Sequence, residues 1–307
     1  MFLITGATGF VGRSLVPYLT NFGVKILPIT KVQLNSFSFN IINDNVIANS
    51  LNGIIHLAGK AHEFNNDISV NEYYEVNTEL TKKVFSEFVS SKASVFIFIS
   101  SVKACADSVI DTLTEEAIPN PITHYGKSKL LAEEFILKTK VSAGKRVYIL
   151  RPCMIHGPNN KGNLNLLYEF VKKGYPWFLG LFENKRSFCS IDNLNFVIKE
   201  LIFNDNIPSG VYNVADDKPI STNELFVLIS NSLNKKFKIW LVPIFLIKFI
   251  AKLGDIIKLP LNSHRLNKLT ESYVVSNNKI KNSLNKDLPF SSIEGINKTL
   301  NSFNKKN

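Results

Sequence analysis

Tyr125 and Lys129 have the side-chain types and the spacing of an acid–base pair. They lie four residues apart in the segment Thr123-His-Tyr-Gly-Lys-Ser-Lys129, so a helix here places them one turn apart on the same face. An ammonium group beside a phenol lowers the phenol pKa, which is otherwise near ~10. We therefore expect Tyr125 to exchange a proton with a hydroxyl or a carbonyl oxygen near neutral pH. The spacing alone is not specific, because lysine-rich helices produce it by chance.

A glycine-rich turn at the start of the chain provides a second chemical signal. Gly6, Gly9 and Gly12 follow the short apolar run Phe2-Leu-Ile-Thr5. Glycines allow the backbone to turn tightly there and to approach a pyrophosphate at the N-terminus of the next helix. The pattern predicts a dinucleotide site, whose contacts we assign to Gly6, Thr8, Gly9, Phe10, Val11 and Gly12.

Short apolar runs alternate with segments of helical period along the first half of the chain. Val76, Leu80, Val84 and Val89 form the apolar stripe of one predicted helix, over 73–90. The predicted strands are 2–5, 24–29, 53–58, 94–100 and 147–150. This alternation predicts an α/β fold with a doubly wound parallel Rossmann sheet.

The alternation fails after about Gly157, which predicts a smaller C-terminal substrate-binding lobe. We assign residues 1–157 to an NAD(P)-binding Rossmann domain and 158–307 mainly to the lobe. Residues 187–217 are expected to return to the sheet, with Val211-Tyr-Asn-Val214 as a strand.

The composition is that of a soluble globular protein, with 45% hydrophobic and 20% charged residues. The net charge of +11 comes without a long basic run, which favours an anionic small molecule over nucleic acid. Cys105, Cys153 and Cys189 have neither CxxC nor metal-ligand spacing. We expect free thiols, no metal and, because no signal peptide precedes the first strand, a cytoplasmic protein.

The most apolar stretch, residues 239–252, is interrupted by Pro243 and Lys248. It is too short to cross a bilayer as a helix. We expect a buried or dimer-facing helix rather than membrane contact, with a helix lying on a membrane surface as the alternative.

Together these motifs resemble the extended short-chain dehydrogenase/reductase superfamily, in its NAD-dependent epimerase/dehydratase family of nucleotide-sugar enzymes. The turn His56-Leu-Ala-Gly59, Asn77 and the pair Ser100-Ser101 ahead of Tyr125 match motifs of that family. Two later segments also match: Leu150-Arg-Pro-Cys-Met-Ile-His-Gly-Pro158, with His156 in place of the usual Tyr, and Arg186-Ser-Phe-Cys-Ser-Ile-Asp-Asn193. His156 itself is interpreted as an ordinary loop histidine.

The resemblance implies a role for each matched residue. Ser101 would hydrogen-bond the reacting oxygen, Tyr125 would exchange the proton, and Lys129 would also hold the nicotinamide ribose. Further cofactor contacts are implied for Leu57, Ala58, Gly59, Asn77, Ser100 and Pro152. Substrate contacts are implied for Lys60, His62, Ser101, Asn163 and Arg186, with Arg186 as a diphosphate clamp. A homodimer formed through the helices before and after the active-site strand is also implied.

The choice of cofactor follows from an acid that the sequence lacks. NAD-selective enzymes place Asp or Glu about 20 residues beyond the glycine turn, whereas this chain has Ile29-Thr-Lys31 there. Thr30, with Lys31 or Arg13, can accept a 2′-phosphate. We therefore favour NADP(H) over NAD(H).

The residues after Ser101 narrow the choice of reaction within the resembled family. Dehydratases of the resembled family carry Asp-Glu there, whereas this chain has Val102-Lys103, so elimination is not expected. Several segments resemble a subgroup of bacterial surface-polysaccharide synthesis, among them Gly174-Tyr-Pro-Trp-Phe-Leu-Gly180. The favoured activity is reduction of a UDP-4-keto-6-deoxy-N-acetylhexosamine of the N-acetylquinovosamine type. A UDP-hexose 4-epimerase is the alternative, and a non-catalytic NAD(P)-binding regulatory protein is a third hypothesis.

Overall fold

The computed structural model describes residues 1–29, 50–61, 69–160, 162–236, 238–257 and 262–304. The strands in this part of the chain are β1 Phe2–Thr5, β2 Ile26–Ile29, β3 Gly53–His56, β4 Val95–Ile99, β5 Thr112–Leu113, β6 Arg146–Pro152, β7 Met154–His156, β8 Phe188–Ser190, β9 Gly210–Val214 and β10 Val274–Val275. Six of them form one parallel sheet in the order β2-β1-β3-β4-β6-β9. The predicted α/β class with a doubly wound parallel sheet is confirmed.

The helices connect these strands and cover the sheet. They are α1 Phe10–Asn21, α2 Val70–Tyr73, α3 Leu80–Ser90, α4 His124–Lys138, α5 Asn163–Lys172, α6 Ile191–Phe203, α7 Thr222–Ser232, α8 Ile244–Ile257, α9 Ser263–Thr270, α10 Asn278–Leu284 and α11 Ser292–Asn304. A π-helical turn, Tyr74–Glu79, joins α2 to α3. The helix predicted over 73–90 is therefore longer than expected and changes its winding at the turn.

The two faces of the sheet bury alternate residues of each strand, as the period of two requires. Ile4, Ile55 and Ile97 share one core with Leu15 of α1 and with α6. Their neighbours on the opposite face, among them Ile54 and Phe96, pack against α3 and α4. Helices therefore cover both faces, which explains why the strands are apolar throughout.

A separate hydrophobic core holds the C-terminal half together. It is built around Trp177 and Phe226 and takes residues from α5, α7, α8 and α11. The chain crosses back to the large sheet at β9, which pairs in parallel with β6 from Tyr148 opposite Gly210 to Pro152 opposite Val214. Two small sheets join segments that are distant in sequence, because β5 pairs with β10 and β7 pairs with β8.

The strand order reverses at β1, which has β2 on one side and β3 on the other. Open α/β sheets bind ligands outside the carboxyl ends of the strands at such a point. The loops that leave β1 and β3 touch there: Gly6 has φ +69°, and a Cβ on it would lie 2.8 Å from the backbone nitrogen of Ala58. The fold therefore places the glycine turn and the His56–Gly59 turn at the mouth of one crevice.

Helix α8 is not the fully buried helix that is one of the two expectations for this stretch, and a dimer-facing helix stays a prediction. It buries only Ile247, Ala251 and Gly254, while Phe245 and Phe249 on the other side are exposed. The apolar stretch is thus buried along one narrow stripe and otherwise faces solvent. Among the described helices, none has the length and the apolar content needed to cross a membrane.

Candidate active site

Ser101 and Tyr125 meet at the carboxyl end of β4. Ser101 lies two residues after the end of the strand and caps the short 3-10 turn Val102–Ala104, where its Oγ accepts a hydrogen bond from the Lys103 backbone nitrogen at 3.2 Å. Its side chain is also hydrogen-bonded to the Tyr125 hydroxyl. Because a serine and a tyrosine hydroxyl converge here, one substrate oxygen can contact both.

The start of α4 fixes the position of Tyr125. Thr123 is the N-cap, and its Oγ1 accepts a hydrogen bond from the Gly126 nitrogen at 3.2 Å. Thr123 in turn donates to Asp107, through Oγ1 at 2.9 Å and through its backbone nitrogen at 3.0 Å. Burial would raise the pKa of Asp107, but these hydrogen bonds and one from Ile122 outweigh it, so the pKa is lowered. Asp107 therefore stays ionised and holds the N-cap Thr123, which begins the helix that carries Tyr125.

Lys129 lies one helical turn after Tyr125, as the spacing predicted, and is buried. Its Nζ donates to the Ile99 backbone oxygen at 3.0 Å and lies 4.8 Å from the centre of the Phe98 ring. Burial lowers the pKa of Lys129 from 10.5 to about 8, with Glu133 opposing the shift. A Cβ on Gly59 would lie 2.9 Å from this Nζ and 3.1 Å from Oδ1 of Asn77. Lys129, Gly59 and Asn77 are thus brought together.

The expectation that Lys129 lowers the pKa of Tyr125 is wrong for this structure. Burial raises the pKa of the Tyr125 hydroxyl, and the hydrogen bond with Ser101 offsets this only in part. The loss of water around a phenolate is the largest effect, and the Lys129 ammonium is directed to the Ile99 carbonyl instead. In this state Tyr125 is a neutral phenol, the form that donates a proton.

Asn77 anchors the loop after β3 to α4 from within the π-helical turn. Its side chain is fully buried, donates to the Lys60 oxygen and to Ser128 Oγ, both at 3.0 Å, and accepts from the Lys60 nitrogen at 2.8 Å. Single π-helical turns occur frequently at functional sites. The side chain of Lys60 forms an ion pair with Glu72 at 2.7 Å, and His62 lies outside the described residues.

Sequence reasoning missed a buried ion pair beneath the site. Arg151 of β6 contacts both carboxylate oxygens of Glu133, with Nε 3.1 Å from Oε1 and Nη2 2.5 Å from Oε2. Ser100 donates its hydroxyl to the same carboxylate. The Ser100 side chain thus has its hydrogen-bond acceptor within the protein. The available signal was Glu133 itself, four residues after Lys129 on the same helix face. This carboxylate is the anion that supports the charge of Lys129.

The glycine turn has the form of a phosphate cradle. A Cβ on Gly12 would lie 2.5 Å from the backbone oxygens of Gly6 and Ala7, so a side chain is excluded there. The N-cap of α1 is Gly9, which makes no side-chain cap, and the first turn holds no acid. These features fit a pyrophosphate. Thr8 and Gly9 are exposed, while Phe10 and Val11 are half-buried.

The remaining assigned cofactor contacts lie around this crevice. Ala58 donates its backbone nitrogen to Thr5 Oγ1 at 3.2 Å, next to half-buried Leu57. Pro152 ends β6, and exposed Arg13 lies in the first turn of α1. Thr30 and Lys31 lie outside the described residues.

Arg186 is far from Ser101 and Tyr125 in the sequence. Tyr273 connects it to the segment that follows Ser101. The Nη2 of Arg186 donates to the Lys268 oxygen at 2.9 Å and to Glu271 Oε1 at 3.1 Å, whereas its buried Nε has no hydrogen-bond partner among the described residues. Its backbone bridges to Tyr273, whose hydroxyl donates to the Ala106 oxygen at 2.6 Å. Burial lowers the pKa of Arg186, and Glu271 opposes this.

Two other residues considered from the sequence have clear places in the fold. Asn163 is the first residue of α5. His156 is not a loop histidine: it ends β7, is fully buried, and bonds Thr299 Oγ1 at 2.9 Å and Asp216 Oδ2 at 3.3 Å.

A family model and curated relatives match this chain over most of its length. The model of the NAD dependent epimerase/dehydratase family matches residues 2–215. A UDP-glucose 4-epimerase of Vibrio cholerae is 29% identical over 316 residues, covering 98% of this chain and 94% of the relative. An N-acetyl-alpha-D-glucosaminyl-diphospho-ditrans,octacis-undecaprenol 4-epimerase of Escherichia coli is 29% identical over 243 residues, 76% of this chain and 72% of the relative.

Among solved structures, MoeE5 in complex with UDP-glucose and NAD has the same fold. It superimposes with a TM-score of 0.76 at 18% identity, covering 99% of both chains.

Proposed function

Because the chain belongs to the NAD dependent epimerase/dehydratase family, we propose that it is a nicotinamide-dependent enzyme acting at carbon 4 of a UDP-sugar, by 4-epimerisation. The observation that carries the proposal is the hydrogen bond between Ser101 and Tyr125 at the end of β4, beside the crevice of the glycine turn. Both named relatives are 4-epimerases, and one matches nearly the whole chain.

The crevice fits a nicotinamide dinucleotide. The Gly6–Gly12 turn leaves room for a pyrophosphate at the N-terminus of α1. Lys129, Gly59 and Asn77 converge next to Ser101 and Tyr125, where a nicotinamide ribose would be held. The cofactor would supply hydride acceptance and donation at carbon 4.

Side chains of the protein would transfer the proton and hydrogen-bond the substrate. Ser101 would hydrogen-bond the oxygen on carbon 4. The phenolate form of Tyr125 would take the proton of the hydroxyl, and the phenol so formed would return it to the 4-keto oxygen. The raised pKa of Tyr125 suits the second of these steps in the structure described. Epimerisation further requires the keto sugar to present its opposite face before the hydride is returned.

Arg186 is proposed to bind the UDP diphosphate. Its buried Nε has no hydrogen-bond partner in the described part of the chain, and a diphosphate oxygen would satisfy it while competing with Glu271 for the guanidinium. The Escherichia coli relative is named for a lipid-linked diphospho-sugar, so such a sugar belongs among the substrates to be tested.

Reduction of a UDP-4-keto-6-deoxy-N-acetylhexosamine is the second candidate. Two observations favour it: the neutral Tyr125 phenol is already the proton donor, and Ile29-Thr-Lys31 lacks the acid typical of NAD-selective enzymes. We propose NADP(H) as the cofactor in this case, with Arg13 contributing to the 2′-phosphate site.

One set of assays separates the two reactions. The purified protein is incubated with UDP-glucose, UDP-N-acetylglucosamine or N-acetylglucosaminyl diphosphoundecaprenol without a reductant, and the 4-epimers are measured by chromatography. In parallel it is given UDP-4-keto-6-deoxy-N-acetylglucosamine with NADPH or NADH, and nicotinamide absorbance is followed. Epimer formation supports the first proposal, and stoichiometric oxidation without epimer formation supports the second.

Tyr125→Phe tests the residue that both reactions share. We expect it to lower kcat/KM by roughly 10²–10⁴-fold, while Tyr175→Phe, on an exposed tyrosine, leaves it unchanged. Full activity in the Tyr125 variant would overturn the assignment. Cofactor binding without activity on any of these substrates would revive the regulatory-protein hypothesis.

A further inference from the structure

The outward side of α8 is a continuous apolar surface. Phe245, Phe249 and Ile256 are 75%, 58% and 77% exposed, and they lie opposite the stripe of Ile247, Ala251 and Gly254 that packs into the C-terminal core. Leu246, Ile250, Leu253 and Ile257 widen the same side. Monomeric soluble proteins rarely expose so contiguous an apolar patch without a partner.

The apolar surface continues into the segment that leads to α8. Trp240 and Leu241 are exposed, yet the backbone beneath them is fixed, because Trp240 donates to the Trp177 oxygen at 2.7 Å and Ile239 bridges to Trp177. Trp177 is buried and anchors its indole on Asn223 at 2.6 Å. The side chain of Trp240 is thus exposed on a segment whose backbone is fixed by hydrogen bonds to Trp177.

Positive charge borders this apolar surface along one flank and at its N-terminal end. Lys248 and Lys252 lie along one flank of α8, and exposed Lys235, Lys236 and Lys238 precede Trp240. One cavity of about 320 Å³ is lined by Trp240 and by all three of Lys235, Lys236 and Lys238. The basic segment and the apolar surface are therefore neighbours in space as well as in sequence.

Negative charge is almost absent from the same stretch. Between residues 235 and 268 the sequence contains one acid, Asp255. Its carboxylate accepts hydrogen bonds from the nitrogen of Ser263 at 2.9 Å and from its Oγ at 2.6 Å. Asp255 is therefore turned toward α9 and does not interrupt the apolar side.

We propose that this α8 surface, comprising 240–257 with Lys235, Lys236 and Lys238, binds an anionic phospholipid bilayer. An α-helix of 14 residues is only about 21 Å long, against a hydrocarbon core of about 30 Å, so α8 lies in the plane of the interface. Lysines flanking an apolar face and a tryptophan at its end are the residues that such a position requires. The proposal goes beyond the proposed reaction and does not depend on it.

A second copy of the chain fits this surface less well. A two-fold contact in which the two α8 helices run antiparallel would place the lysine flank of each copy near that of the other, because the same patch faces itself. Like charges brought together at an interface are costly, whereas anionic headgroups neutralise them. The bilayer is therefore the occupant that both the charge and the apolar side favour.

Vesicle flotation of the full-length protein tests the proposal. We expect binding to vesicles of phosphatidylcholine with phosphatidylglycerol, weaker binding to phosphatidylcholine alone, and a loss of binding as salt rises. The double variant Phe245→Gln/Phe249→Gln should lower the vesicle partition coefficient about tenfold or more, because it removes two apolar anchors. Phe203→Gln, on a phenylalanine 57% exposed at the end of α6, should bind like the parent protein.

A second variant and a second measurement keep the outcomes distinct. Lys248→Gln/Lys252→Gln should weaken binding to the anionic vesicles and leave binding to neutral ones unchanged, and circular dichroism melting checks that each variant folds. Absence of binding by the parent protein, or unaltered binding by the phenylalanine variant, would overturn the proposal. Sedimentation equilibrium showing a dimer that the phenylalanine variant abolishes, without vesicle binding, would assign the surface to a contact between copies.

Discussion

At the scale of single residues, the site keeps a lysine where its charge is costly. Lys129 is buried, and its pKa falls from 10.5 to about 8 because the ammonium loses water. Below pH 8 both the folded and the unfolded chain carry the proton, and the folded state bears the full penalty. The penalty disappears as pH rises from about 8 to 10.5, because the unfolded chain then binds more protons than the folded one.

Lys129→Met should therefore stabilise the protein while abolishing its activity. We expect the free energy of unfolding to rise by about 1–2 kcal/mol at pH 7, after allowing for the lost hydrogen bond to Ile99, and the gain over the parent protein to shrink as pH rises. Urea unfolding at several pH values measures this. Lys127→Met, on an exposed lysine of the same helix, is the control. A destabilised variant with no pH dependence would contradict the argument.

The buried pair of Glu133 and Arg151 should be the most sensitive point beneath the site. Glu133→Gln leaves the Arg151 guanidinium buried without its carboxylate, and we expect a loss of about 3–5 kcal/mol. The adjacent Glu134 pairs with Lys138 on the surface, so Glu134→Gln should cost about 0.5 kcal/mol or less. Equal losses in the two variants, measured by urea unfolding, would show that the pair has no such role.

At the scale of elements, His56 holds the crevice strands to the helix behind them. Its Nδ1 lies 2.7 Å from Thr5 Oγ1 of β1 and its Nε2 lies 3.0 Å from Thr81 Oγ1 of α3. Burial, with a smaller effect of Lys129, lowers the pKa of His56 from 6.5 to about 3. The unfolded chain therefore binds more protons between these values, and stability falls as pH falls from 6.5 toward 3.

We expect His56→Gln to be less stable than the parent protein near pH 7 but to lose less stability on acidification. The amide retains hydrogen bonds to the two threonines but does not titrate. Thermal unfolding between pH 7 and pH 4 measures the difference in slope, and His264→Gln, on an exposed histidine of α9, should follow the parent curve. Parallel curves for the parent and the His56 variant would refute the prediction.

At the scale of the whole molecule, Asp216 ties the end of β9 to the C-terminal half. Its carboxylate accepts from the Ser190 nitrogen at 2.9 Å and from Asn193 Nδ2 at 2.6 Å, and it lies 3.3 Å from His156 Nε2. His156 continues the contact to Thr299 of α11. One buried carboxylate thus links β7, β8, α6 and α11.

Asp216→Asn should lower the free energy of unfolding by about 3 kcal/mol, because an amide donor would face a donor from Asn193 or Ser190. Asp205→Asn, on an exposed aspartate paired with Arg146, should cost less than about 1 kcal/mol. Calorimetry of both variants checks this, and a fully stable Asp216 variant would count against the link. The homodimer and the division into domains at residue 157 stay predictions at this scale.

The sequence by itself determined the parts of this protein that depend on neighbours in the chain. The apolar strands, the glycine turn, Ser101 after β4 and the one-turn spacing of Tyr125 and Lys129 follow from periodicity and turn chemistry. The π-helical turn that carries Asn77 has no comparable local signature, because it depends on how the helix packs.

Only the tertiary structure decided what burial and distant partners do to those residues. It raised the pKa of Tyr125, paired Glu133 with Arg151, buried His156 against Asp216 and left one side of α8 in solvent. The physical reason is the same in each case. An apolar helix has the same period in the sequence whether or not another element covers it. A charged residue is written the same way whether it lies in water or in the core. Its exposure, its pKa and its partners therefore depend on which segments the fold brings together.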